Sequence, residues 1–121
     1  MNPWGTDFDF DPVNKILLMR FEGRLTEESV RDFYGAIRKN AIATNASAGI
    51  WDLSPATEFA LSAEFLRSLA TFEPAMPDAT ERPRFIVAPT MVGFGLSRMF
   101  EIMGEQKRPL LQVVRSLKTK L

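Results

Sequence analysis

Polar and apolar residues alternate with period two over TDFDF, and a more continuously apolar run returns in KILLMRF. Period two is the pattern of a half-exposed strand, and the DPVN between the two runs supplies turn chemistry, because Pro12 fixes its own φ and Asn14 tolerates turn geometry. The pattern predicts a hairpin with an exposed outer strand, the second strand ending at Gly23. Beyond it the period changes. Val30, Phe33, Tyr34, Ile37 and Ala41 recur at spacings of three and four, with Arg31, Asp32, Arg38 and Lys39 facing elsewhere. Thr26 is placed to cap this helix, and Glu27 and Glu28 fall in its first turn, where the helix dipole favours acids.

AGIWDL then reads as an inner strand, SPAT breaks it at a proline, and a second helix follows with Phe65, Leu66, Leu69 and Phe72 on its apolar face. The proline-rich EPAMPDATERP reads as a long loop and RFIVA as the next strand. A third helix starts at Thr90, carries Leu96, Met99, Phe100 and Met103 at helical spacing, and stops at Gly104. LLQVV is the last strand, and SLKTKL is too short to assign. The order β-β-α-β-α-β-α-β implies an α/β fold of two layers. Its sheet is mixed, with an antiparallel hairpin and a mostly parallel core, and the helices pack on it.

Composition narrows the chemistry. At 121 residues the chain is one domain over 1–121, long enough to bury roughly 65% of its unfolded surface. Fifteen basic residues balance fifteen acidic ones, which argues against nucleic acid as a partner, although Asp7, Asp9 and Asp11 crowd the start and Lys107, Arg108, Arg115, Lys118 and Lys120 the end. With no cysteine and no histidine, thiolate nucleophiles, imidazole bases and nearly every zinc site are excluded, so no cofactor or metal is expected. No membrane span or signal peptide is legible. The expectation is a cytoplasmic protein with at most peripheral membrane contact, and homo-oligomerisation stays open.

Candidate sites are few. Asp7, Asp9 and Asp11 alternate like calcium-loop ligands, but Pro12 and Leu18 occupy the positions that need glycine and glutamate, so these acids read as the solvent face of an edge strand. Gly93-Phe94-Gly95 lacks the rest of a phosphate loop and reads as small residues that allow close helix packing. Glu27 and Glu28 are adjacent, point about 100° apart, and cannot flank one bond. No catalytic residue is expected, and the chain does not read as an enzyme. The remaining candidate is the rim beyond the third strand, Asp52, Ser54, Thr57 and Ser62, joined by Arg24, Thr26 and Thr90 after other strands. Such strand ends handle ligands and signals in parallel sheets, and a phosphate on Ser54, Thr57 or Ser62 would add about −1.5 to −2 of charge. The hydroxyls serve equally as helix caps. Met91, Met99 and Met103, with Phe94 and Phe100, give the third helix a soft apolar surface of the type that accommodates varied ligands or partner helices, although Leu96, Met99, Phe100 and Met103 also form the stripe that core packing requires. The contacts expected for a small apolar ligand are Phe94, Leu96, Met99, Phe100 and Met103.

The run WDLSPAT through LSAEFLRSLA resembles the centre of a STAS domain, with Asp52, Leu53 and Ser54 as the Asp-Leu-Ser triplet. FEGRLTEESV and VAPTMVGFGLSRMFEIM extend the likeness to the SpoIIAA-like, STAS/SEC14-type branch of small bacterial proteins. The resemblance implies a regulatory module that binds an as yet unidentified protein partner, with a phosphoswitch or an apolar-ligand carrier as variants of the scaffold. One departure is specific: where antagonists carry Asp-Ser-Ser-Gly or Asp-Thr-Ser-Gly, this chain has Ala60-Leu61-Ser62-Ala63, which leaves only Ser62 near the phosphorylated position. Two functions are therefore expected: first a non-enzymatic interaction module using the rim, and alternatively a carrier or sensor for a lipid or other small apolar molecule held between the third helix and the sheet.

Overall fold

A computed structural model gives the fold and describes residues 6–76 and 81–117. The hairpin forms as the alternation predicts: β1 (Thr6–Asp11) pairs antiparallel with β2 (Ile16–Phe21). The Asp11 carboxylate closes the turn, its Oδ1 accepting from the Val13 amide at 2.9 Å and its Oδ2 from the Asn14 side chain at 2.8 Å. These bonds, the Asn14 side chain first, hold the Asp11 carboxyl below its usual value. On the exposed side of β1, Asp9 bonds Arg20 of β2 at 3.0 Å, so this acid sits where the edge-strand reading places it. Asp7's side chain and most of SLKTKL lie outside the described residues.

The chain then turns at Gly23, φ +74°, into β3 (Gly23–Thr26), which leads into α1 (Glu27–Thr44). Next come β4 (Ala48–Asp52), β5 (Ala56–Ala60), α2 (Ala63–Ala70), β6 (Arg84–Val87), α3 (Met91–Met103) and β7 (Leu111–Val114). The predicted elements occur in the predicted order, and two short strands, β3 and β5, are added. Five strands form one sheet in the order β1-β2-β4-β6-β7, parallel throughout except at β1. β3 and β5 pair with each other, also in parallel, as a separate ribbon. No helix among the described residues is long and apolar enough to cross a membrane.

This ribbon changes the corner after β4. The chain does not pass from Asp52 straight into a helix but runs along β5 beside β3, and each ribbon strand ends at a helix start. Thr26 caps α1 by accepting from the Ser29 amide at 3.1 Å, while the Ser29 hydroxyl accepts from the Thr26 amide at 2.9 Å, a reciprocal box. Ser62 caps α2 by accepting from the Phe65 amide at 3.0 Å, and its hydroxyl donates to Glu27 of α1 at 3.3 Å. α1 and α2 therefore begin side by side. α2 stops at Ala70, two residues short of where its apolar spacing ends, and Phe72 lies beyond it, edge-on to Tyr34 at 6.2 Å.

The core lies between the helices and the sheet face that carries Leu17, Met19, Phe21, Trp51 and Ile86, with Phe33 of α1 stacked on Phe21 at 4.4 Å. A cation is buried beside it. Arg108, in the loop between α3 and β7, is 4% exposed and closes the C-terminus of α2, donating to Ala70 O at 2.9 Å and Phe72 O at 3.0 Å. It also donates to the Tyr34 hydroxyl at 3.1 Å and lies over the Phe100 ring at 4.8 Å. Carbonyls at a helix end carry partial negative charge, so a guanidinium there both fills their open valences and meets the dipole. Gly104 leaves it room: a Cβ on Gly104 would stand 2.9 Å from Arg108 Nη1.

Two substitutions test this account by urea denaturation. Arg108→Ala leaves the α2 carbonyls and Tyr34 without their donor and is expected to cost about 3 kcal/mol; a loss under about 1 kcal/mol would show the cap to be incidental. Ser62→Ala removes the α2 cap and is expected to cost about 1 kcal/mol, with an unchanged midpoint counting against the capping role.

Candidate functional site

Between α1, α2, α3, the ribbon and the five-stranded sheet lies a partly open cavity of about 130 Å³. Phe21, Trp51 and Ile86 rise into it from the sheet, Phe33 and Ile37 from α1, Leu66 and Leu69 from α2, and Leu96 and Phe100 from α3. Leu25 and Phe59 close it from the ribbon. An apolar void near 150 Å³ is enough for a benzene-sized guest, which sets the scale of what fits here.

Its few polar groups are Tyr34, Arg84, Ser97 and Arg108. Arg84 opens β6 and is 2% exposed. Burial, then the charge of Arg108, pulls its pKa down to about 10, while Tyr34 acts in the opposite sense. Burial pushes the Tyr34 phenol up, against the pull of Arg108. The three groups thus share one electrostatic environment in the cavity wall. Sequence reasoning put Tyr34 on the inward face of α1 but did not single out Arg84, Ser97 or Arg108 as buried groups. For Arg84 a signal exists, since it has the same strand parity as Ile86, an inward position. Arg108 carries none: among EQKRP it reads as one more surface base.

Of the five α3 residues expected to contact an apolar ligand, Leu96 and Phe100 line the cavity. Met99 packs with Leu96 against Phe65, Leu66 and Leu69, Phe94 lies under the Arg115 guanidinium at 4.4 Å, and Met103 is half-buried at the helix end. Gly93 meets the ribbon, where a Cβ would stand 2.8 Å from Phe59 Cζ, whereas Gly95 faces open space. Close packing at this pair thus comes from Gly93 alone and is made against β5.

The rim residues divide. Asp52, at the carboxyl end of β4, accepts from the Ser54 amide at 3.0 Å and shapes the turn, leaving Ser54 and Thr57 exposed. Ser62 lies at the other end of β5, beside Glu27. Arg24 is ion-paired with Glu58 across the ribbon. Thr90 caps α3, accepting from the Gly93 amide at 3.1 Å, so Thr26, Ser62 and Thr90 each serve a helix start. Met91, one of the soft apolar residues that the sequence places on the third helix, follows Thr90 and is 83% exposed, and Val92 beside it, which sequence reading missed, is 61% exposed. β4 and β6 are neighbours, with Asp52 paired to Val87, so Ser54 and the Thr90–Val92 turn leave the same edge of the sheet. That edge combines hydroxyls with two bare apolar side chains.

No family model matches the chain, and no curated protein matches it in sequence. Among solved structures it is similar to the anti-sigma factor antagonist SpoIIAA in its unphosphorylated form, at 12% identity, with 94% of this chain and 93% of that chain covered and a TM-score of 0.57. The likeness is one of fold: the chain has the mixed α/β, STAS-like architecture of SpoIIAA.

Proposed function

We propose that the protein is a non-enzymatic interaction module of STAS type that meets a protein partner through the carboxyl edge of its sheet. The observation that carries this reading is the exposure of Met91 and Val92 at the sheet edge from which the exposed Ser54 also leaves. Large apolar side chains next to hydrogen-bonding groups suit a surface that is covered on binding. The fold supports it, since the structural neighbour is by its name an antagonist of another protein factor. Ser54 and Thr57 are the hydroxyls at which a phosphate would change this edge most directly. At Ser62 the phosphate would take the place of a cap and face the Glu27 carboxylate.

The module reading predicts that Met91→Asp combined with Val92→Asp lowers affinity for an isolated partner by about tenfold or more, measured by titration calorimetry. Both positions are exposed, so thermal stability should change by no more than about 0.5 kcal/mol. Undiminished binding by a folded double variant would remove the rim from the interface.

A second reading rests on the cavity: a carrier or sensor for a small apolar molecule held between α3 and the sheet. It predicts that organic extraction of the purified protein releases a stoichiometric apolar species detectable by mass spectrometry. An empty extract, together with no uptake of added 1-hexanol, would sink this reading and leave the module reading standing.

A further inference from the structure

We infer that the cavity takes a small apolar molecule bearing a single hydroxyl or carbonyl oxygen, and that the Ser97 hydroxyl of α3 is the group that meets this oxygen. The inference rests on the second reading above and adds the guest's polar group and the residue that recognises it. Its basis is one side chain. Ser97 is 6% exposed, lies on the face of α3 that also carries Gly93, Leu96 and Phe100, and lines the cavity with them. Among the described residues its hydroxyl has no hydrogen-bond partner. A hydroxyl inside a helix can turn back to the carbonyl four residues earlier, as Thr44 does to Asn40 O at 2.7 Å. Ser97 makes no such bond, although a buried hydroxyl left without a partner costs stability.

The surroundings narrow the class. One turn before Ser97, Gly93 is covered by the ribbon, since a Cβ there would stand 2.8 Å from Phe59 Cζ. Ser97 is then the one polar side chain that this face of α3 offers to the cavity, and Phe21, Leu66, Leu96 and Phe100 around it ask for hydrocarbon. A serine hydroxyl both donates and accepts, so an alcohol, a phenol or a ketone fits it equally. A volume of about 130 Å³ sets the guest near benzene in size, roughly six to eight non-hydrogen atoms, rather than a long-chain lipid.

The test uses phenol and toluene, which share a shape and differ by a hydroxyl in place of a methyl group. Each is titrated into the full chain and followed by calorimetry and by NMR contacts to the Leu96 methyls. Toluene is the more apolar, so a cavity with no partner for the hydroxyl would prefer it by about tenfold or more, whereas the unmodified chain is expected to bind phenol at least as tightly. Ser97→Ala is expected to weaken phenol about fivefold or more while toluene binds as before or more tightly. The ratio of the two affinities decides: if Ser97→Ala leaves it unchanged while either probe reaches the Leu96 methyls, the inference is overturned and the apolar-ligand reading survives. If neither probe reaches them, both fall. Should Ser97→Ala fail to fold, the unmodified chain decides alone, and tighter binding of toluene than of phenol overturns the inference.

Discussion

The guanidinium of Arg108 joins elements that no continuous strand or helix connects. It bonds the carbonyls at the end of α2, reaches the phenol of Tyr34 on α1, and lies over Phe100 of α3. An arginine buried in this way is tolerated because its Nη groups find carbonyls and a hydroxyl, and those partners come from separate segments. The three helices are consequently tied to one another at a polar point, rather than only pressed on the sheet by apolar contact. The wall that this point forms is also the charged wall of the cavity, so the interaction that positions the helices sets the character of the space beneath them.

A second constraint comes from the ribbon of β3 and β5. Two parallel strands side by side deliver α1 and α2 to neighbouring starting points, and the Ser62–Glu27 hydrogen bond closes the gap between them. Because β5 intervenes, the hydroxyls between Ser54 and Ser62 do not make one rim. Ser54 leaves the sheet at the same edge as Met91 and Val92 and Thr57 is exposed on β5, whereas Ser62 is drawn into helix capping. The same polar corner thus supplies both a free surface and a structural joint, separated by the length of a short strand.

Much of this was legible in the chain alone. The period-two run at TDFDF, the three-and-four spacing from Val30 to Ala41, and the caps at Thr26 and Thr90 each state a local preference that the fold keeps, because backbone periodicity and terminal N–H groups act within a few residues. β3 and β5 were not legible: four or five residues are too few to show a period, and their pairing joins segments about thirty residues apart. The end of α2 at Ala70 was equally hidden, since Phe72 keeps helical spacing although the chain has left the helix.

What the sequence determined by itself is the inventory and the order: an antiparallel hairpin, crossover helices, a parallel core, and a chemistry without thiols or imidazoles. Tertiary structure alone decided which polar groups are buried and which apolar ones are bare. Arg84 and Arg108 go inside while Met91 and Val92 stay outside, against the ordinary hydropathy of each. The physical reason is that burial of a charge depends on the dipoles that distant segments bring to it, and exposure of an apolar side chain on what the packed helices leave uncovered. Neither quantity is a property of a residue and its neighbours along the chain.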